Sequence, residues 1–323
     1  MNKNPKLISV VAPCYYDAGN VAELCRRLNN VSKKLETPFE IIIVDDGSPD
    51  NSWEIIQNLS KQINNLIGLR LSRNFGQHVA ITAGIEHSRG DYVVIMDGDL
   101  QDLPEEIPKL YNKILEGYDL VFSTRKKRMD SKFRYIFSSI YRYFINRMAG
   151  LKIPYNISMM RIFTRDFADH YLRFTEKRRT LGALFVWMGF KQTYVEIEHG
   201  ERFSGKSNFT AWKLMRQAVN DISSFSTIPI ALIGLLGILI SAISFIFGLL
   251  IIIHYFFAEP RIQPGWSSII CAISFSTGII MLSFSIIGKY IANIFYEVLD
   301  RPLYLIAEQT ASAKDPGEVI SAK

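Results

Sequence analysis

The residues from Ile228 to Phe257 read IPIALIGLLGILISAISFIFGLLIIIHYFF, thirty in a row without a formally charged side chain. About 20 such residues suffice to cross a bilayer as a helix. The run therefore predicts a membrane span, since a core helix of that length and composition would need a far larger protein around it. A polar turn over Ala258 to Gly265, with Pro260 and Pro264, leads to a second apolar run that starts at Ser267 and closes at Lys289. The expectation is a transmembrane hairpin over 227–294, with spans at about 228–257 and 267–289, followed by a C-terminal tail over 295–323. Basic residues set its orientation: 32 of the 37 Lys and Arg precede Thr227, whereas the turn holds only Arg261. Positive charge stays on the cytoplasmic side, so residues 1–226 and the tail are both expected there.

Composition explains the rest of the chain. With 48% apolar and 21% charged side chains over 323 residues, there is enough apolar mass for a large core and too little charge for disorder. Three cysteines, Cys14, Cys25 and Cys271, without C-x-x-C spacing suggest reduced thiols and neither a disulfide framework nor a zinc site. Residues 1–226 alternate short β-rich runs with helical patterns. Strands are expected at Leu7 to Ala12, Phe39 to Val44, Ile67 to Leu71, Asp91 to Met96 and Leu120 to Ser123, and helices at Ser52 to Gln62 and Gln77 to Glu86. This rhythm predicts an α/β domain with an open, mostly parallel sheet, in which ligands bind beyond the carboxyl ends of the strands.

Acidic residues cluster at those ends. Ile41 to Val44 runs into Asp45-Asp46-Gly47-Ser48, and Tyr92 to Met96 runs into Asp97-Gly98-Asp99-Leu100-Gln101-Asp102. Two carboxylates separated by one residue can share a divalent ion whose other ligands are phosphate oxygens. Most such triplets are solvated turns, but two acidic turns following strands of one sheet point to a ligand crevice. No G-x-G-x-x-G follows the first strand and no P-loop is present, which removes the usual dinucleotide and triphosphate cradles. His78 reads as a surface or helix-start residue, because the five histidines do not cluster.

Together these stretches resemble the family 2 glycosyltransferases that use polyisoprenyl phosphate as acceptor. The matching residues are Pro13-Cys14-Tyr15-Tyr16-Asp17, Val44-Asp45-Asp46-Gly47-Ser48, Leu71-Ser72-Arg73-Asn74-Phe75-Gly76, Asp97 to Asp102 and Arg202-Phe203-Ser204-Gly205-Lys206-Ser207. The resemblance implies a GT-A-type, Rossmann-like nucleotide-sugar domain, and a bacterial inner-membrane enzyme that transfers a sugar from a nucleotide-sugar, UDP-linked in a bacterial member, to undecaprenyl phosphate. It implies that Pro13, Tyr15, Asp17, Asp46 and Arg202 bind the nucleotide, and that Asp97 and Asp99 are the catalytic acids. Those two, with Gln101, would bind Mg2+ or Mn2+. A homo-oligomer is implied as well, and a role in cell-envelope glycan or lipid modification.

Three departures from the family pattern bear on the substrate. Tyr16 and Asp17 replace Asn and Glu of P-x-Y-N-E, and Asn208 stands where a lysine is expected, with Lys206 near by. Ser158-Met159-Met160-Arg161 replaces the G-D-F-R of the bactoprenol glucosyltransferases, so an acidic candidate base is absent. A phosphate monoester needs no such base, being largely ionised at neutral pH with a second pKa near 6.

On the acceptor side, nine basic residues lie between Arg125 and Lys152 against one acid, Asp130. Phe133, Ile136, Phe137, Ile140, Tyr141, Phe144 and Met148 recur at helical spacing there. An amphipathic interfacial helix over about 132–148 is expected in the headgroup plane of the bilayer, with Arg125, Arg134 and Lys206 toward the acceptor phosphate. Nucleic-acid binding is disfavoured by the membrane spans. A different membrane lipid as acceptor and a catalytically inactive membrane scaffold are the competing readings.

Overall fold

The computed structural model describes residues 6–125, 157–200 apart from 178 and 180, and 265–310, with scattered residues between 230 and 253. The chain divides into two compact units, one carrying the sheet and the other the apolar helical region.

The sheet unit opens with β1 (Ile8–Cys14), α1 (Val21–Leu35), β2 (Phe39–Asp45), α2 (Ser52–Ser60), β3 (Leu66–Leu71), α3 (Gln77–Glu86) and β4 (Tyr92–Ile95). A short 3-10 turn at Pro104–Glu106 precedes α4 (Ile107–Ile114) and β5 (Leu120–Arg125). After these come β6 (Ile157–Thr164), α5 (Arg165–Leu172), α6 (Leu181–Trp187) and β7 (Gln192–Ile197). All seven residues of β1 and all seven of β2 are buried. A strand covered on both faces has no reason to alternate, which is why both are largely apolar, and the buried Ser9 and Glu40 pair with each other at 2.6 Å.

One face of the sheet packs Val10, Ala12, Ile41 and Val94 against Leu24, Cys25 and Leu28 of α1 and Leu110 and Ile114 of α4. On the other face α3 lies so close that a Cβ on Gly84 would come within 2.3 Å of Val11 Cγ1. That approach explains the run of six buried residues from Ala80 to Ile85. A separate aromatic cluster lies beside β6, with Phe163, Phe167 and Tyr171 each packed edge to face with Phe185. Cys14 and Cys25 are buried free thiols, and burial pushes Cys25 up to about 12.

The eight strands run in the order β7-β5-β6-β4-β1-β2-β3-β8, with β8 at Ile306–Gln309. β3, β2, β1 and β4 are parallel neighbours, and β5 is parallel to β7. β6 runs antiparallel between β4 and β5. The expected mostly parallel sheet is thus present, with β6 and β8 as its antiparallel members. Chain order reverses between β1 and β4, so the switch-point crevice lies at Cys14 and at Met96, where both acidic and tyrosine-bearing loops begin.

Two expectations need correction. The segment from 295 is not all tail: beyond Arg301 it rejoins the sheet, where β8 pairs antiparallel with β3. Gly68 N–H donates to Thr310 Oγ1 at 2.8 Å, and Trp53 Nε1 donates to Glu308 at 2.9 Å. The pairing covers the otherwise open N–H and C=O edge of β3. The second apolar helix, α7 (Trp266–Val298), also runs past Lys289. Lys289, Asn293 and Glu297 fall four residues apart on one helical face, so charge does not interrupt it. It stops where Asp300 takes a left-handed φ of 43° and Pro302 follows.

In the helical unit, α7 is 33 residues, about 50 Å at 1.5 Å per residue. Over Phe275–Val298 it is long and apolar enough to cross a membrane, and among the described residues it alone qualifies. Residues 233–240 of the first expected span are helical, but most of that span lies outside the described residues, so the two-helix hairpin stays an expectation. The expected helix at 132–148 lies outside them too.

Candidate active site

β1 delivers Pro13 and the loop that follows it. Asp17 accepts Asn20 Nδ2 at 3.0 Å and Tyr15 N–H at 3.3 Å, which curls the loop. Tyr16 stands at φ 60° and donates its N–H to Ser48 Oγ at 3.2 Å. Ser48 is itself fixed, donating its N–H to Asp45 Oδ1 at 2.9 Å. The β1 and β2 loops are therefore tied together.

Asp46 leaves the end of β2 buried, with Oδ1 accepting Phe75 N–H at 2.7 Å and Oδ2 accepting Gly76 N–H at 2.8 Å. Burial raises its carboxyl above the usual range even against these two bonds. Gly47, at φ 68°, lets the Arg73 backbone approach to within 2.6 Å of where a Cβ would sit. Asp46 thus anchors the 73–76 loop.

The β4 turn is different. Asp97 accepts Gln77 Nε2 at 2.6 Å, and Asp99 Oδ1 accepts Gln101 N–H at 3.1 Å. Burial first, then the neighbouring Asp102 and Asp99, raise the Asp97 carboxyl to about 7, with Arg125 and Arg161 opposing. Repulsion of that kind is what a divalent cation relieves, and an all-oxygen donor set suits Mg2+ or Mn2+. Asp97 and Asp99 fit such an ion.

Asp102, the third acid of the turn, is not available to it. One oxygen accepts the Ser158 hydroxyl, with His199 Nδ1 3.2 Å from the same oxygen, and the other accepts Met160 N–H at 2.9 Å. Burial alone would raise this carboxyl, yet the His199 imidazole and Ser158 hydroxyl hold it below the usual range. Accordingly no group of three acidic, His or Cys side chains converges as a metal cage among the described residues. Leu100, buried at φ 62°, gives the turn the bend that separates Asp99 from Asp102. Gly200 N–H donates to Gln101 O at 2.9 Å, so the backbone two positions before Arg202 is pinned to the acidic turn.

Arg161 was absent from the expected site. It lies buried between the rings of Phe122 and Phe185, its Nε donating to Met159 O at 3.0 Å. Desolvation lowers it to about 10, so it stays charged behind Asp97 and Asp102. His78 lies in the first turn of α3, as expected of a helix-start residue, and burial near Arg161 lowers it to about 4, hence neutral. Gln77 and His199 carried no motif that would mark them, and Ser158 and Arg161 stood out only as the ends of the stretch that replaces G-D-F-R; the fold brings all four to the turn. The structure brings Pro13, Tyr15, Asp17, Asp46, Asp97, Asp99 and Gln101 to one end of the sheet, with Arg125 ending β5. Arg134, Arg202 and Lys206 lie outside the described residues.

A mostly parallel α/β sheet with a D-x-D turn at its switch point is a GT-A-like fold. Residues 9–172 match the model of Glycosyl transferase family 2. The chain belongs to that family and is a glycosyltransferase. It is 34% identical over 302 residues to an uncharacterized glycosyltransferase from Synechocystis, covering 93% of this chain and 95% of the relative. It is 30% identical over 319 residues to an undecaprenyl-phosphate 4-deoxy-4-formamido-L-arabinose transferase from Aeromonas hydrophila, covering 98% of each. Among solved structures, a mannosyltransferase from Pyrobaculum calidifontis in complex with GDP-Man and Mn2+ aligns with a TM-score of 0.49 at 15% identity, covering 93% of this chain and 89% of that one.

Proposed function

We propose that this protein transfers a sugar, with inversion, from a UDP-sugar to undecaprenyl phosphate at the cytoplasmic face of a bacterial inner membrane. The single observation that carries the donor half is the contact between two loops. A Cβ on Gly98, between Asp97 and Asp99, would lie 2.9 Å from Pro13 O and 3.7 Å from Asp17 Oδ2. The nucleoside loop and the acidic turn are therefore side by side, as a ligand with a base at one end and a diphosphate at the other requires. The acceptor half is supported by the Aeromonas hydrophila relative, named as an undecaprenyl-phosphate transferase, and by the apolar α7.

In this reading Pro13, Tyr15 and Asp17 hold the nucleoside, and Asp46 braces the 73–76 loop beside it. Asp97 and Asp99, with Gln101, would hold the divalent ion, which when bound neutralises charge on the departing diphosphate. Arg125, Arg134 and Lys206 would bind the acceptor phosphate and Arg202 the donor diphosphate, roles supported by the family resemblance. An acceptor phosphate oxygen attacks the anomeric carbon as its bond to the diphosphate oxygen breaks, and the nucleoside diphosphate leaves with the electron pair. The nucleophile is already ionised at neutral pH, so Met159 in place of an acid leaves the step intact.

The test uses full-length protein in membranes with undecaprenyl phosphate, Mn2+ and radiolabelled UDP- and GDP-sugars. A labelled, EDTA-sensitive lipid is the expected result. Label on another lipid would overturn the acceptor, and binding of partners without any transfer would favour the scaffold reading.

A further inference from the structure

The unusual residue of the nucleoside loop is Tyr16. Its φ of 60° is a left-handed backbone that a bulky side chain rarely adopts. Such outliers persist where the surroundings over-determine them, and they concentrate at ligand sites. Here the determinant is visible: Ser48 Oγ, itself fixed at the end of β2, takes the Tyr16 N–H at 3.2 Å. The consequence is that both tyrosines of the loop face solvent, Tyr15 at 42% and Tyr16 at 59% exposure. Their ring centroids are 4.8 Å apart at 83°, so the two phenols form an edge-to-face corner instead of a flat stack. That corner stands in the loop at the carboxyl end of β1, whose Pro13 and Asp17 flank Gly98 of the D-x-D turn.

Resting on the transferase reading above, we infer that Tyr16 is a nucleobase-contacting residue. Its ring is a wall of the donor site at right angles to Tyr15, and the nucleobase of the nucleoside diphosphate packs into the corner between them. A flat heteroaromatic base covers two exposed aromatic surfaces at once, while the acidic turn beside the corner receives the diphosphate. Stacking on an aromatic face tolerates any base because every base has a π-face. Tyr16 therefore sets affinity for the nucleotide, and the choice among bases falls to polar groups of the loop.

The experiment compares wild-type, Tyr16→Phe and Tyr16→Asn full-length protein by calorimetric binding of UDP and of GDP in the presence of Mn2+, with thermal melts of each. Asparagine tolerates a positive φ, so Tyr16→Asn is expected to melt no lower than wild type. It should bind the preferred nucleotide about tenfold more weakly, while Tyr16→Phe binds as wild type does. Unchanged affinity in Tyr16→Asn would overturn the assignment. So would unchanged affinity together with weaker binding to anionic phospholipid vesicles, which would give the ring to the membrane. Failure of the wild type to bind either nucleotide would overturn the transferase reading itself, and the two failures are thereby distinguished.

Discussion

Two acidic turns follow apolar strands of one sheet, and they look alike in the sequence, yet they do different work. At the end of β2, Asp45 and Asp46 are engaged by backbone: Ser48 N–H donates to the first, and Phe75 and Gly76 N–H groups to the second. At the end of β4, Asp97 accepts Gln77 Nε2 and Asp99 accepts Gln101 N–H, and the burial and neighbouring acids that raise the Asp97 carboxyl are what a cation would offset. The lesson concerns supply of N–H donors. Where another loop folds back and offers two N–H groups, as 73–76 does to Asp46, a carboxylate becomes a brace between loops; where the backbone bond comes from its own turn, as Gln101 N–H to Asp99, it ties no other loop.

The comparison breaks most visibly by removing carboxylates. Asp99→Ala is expected to lower transfer at least a hundredfold with a melting temperature near wild type, measured by labelled-lipid formation and thermal melt. Asp46→Asn should do the reverse in kind. It places an amide NH2 against backbone donors and costs about 1–3 kcal/mol of stability, read as a lower denaturation midpoint, with a smaller loss of activity.

Asp102 lies between the two classes, in the acidic turn but held like a brace. Asp102→Asn is expected to weaken Mn2+ binding about tenfold by loosening the turn, measured by Mn2+ titration of UDP binding. An effect as large as that of Asp99→Ala would place Asp102 among the ligands instead.

The smallest expected effect is a pH slope. Without metal, Asp97 titrates near 7 against an ordinary value of 3.8. The folded state therefore holds an extra proton between those values, so this group's stabilising contribution is full below about pH 4 and is lost as pH rises through 7. Melts of EDTA-treated protein at pH 5 and pH 8 should show the decline, and Asp97→Asn should flatten it. A steeper decline in that variant would sink the assignment of the slope to Asp97.

Legibility followed burial. β1 to β5 could be read because buried parallel strands are mostly apolar runs, two of which lead into Asp, and α3 was bounded correctly at Gln77 and Glu86. β6 escaped because Ser158 and Arg161 interrupt its pattern, although both are buried in the fold. β7 and β8 escaped because edge strands are half exposed: β8 has one half-buried residue, Ile306, and three exposed ones. Of the site, the strand-terminal acids were legible as residues, and their division into braces and ligands was not. Asp102 looked like a member of the D-x-D cluster until Ser158, more than fifty positions away, proved to donate to it.

What the sequence determined by itself was the alternation of strands and helices, the apolar length of α7, and the placement of Pro13, Asp46 and Asp97 where strands end. These are local properties, set by runs of side chains that must be covered and by turn residues that stop them. Tertiary structure alone decided which carboxylates are satisfied, that β6 runs antiparallel beside β4, and that the residues after Arg301 return to close the edge of β3. Each depends on donors and acceptors brought together from distant positions, and hydrogen bonds between such positions leave no period in a sequence.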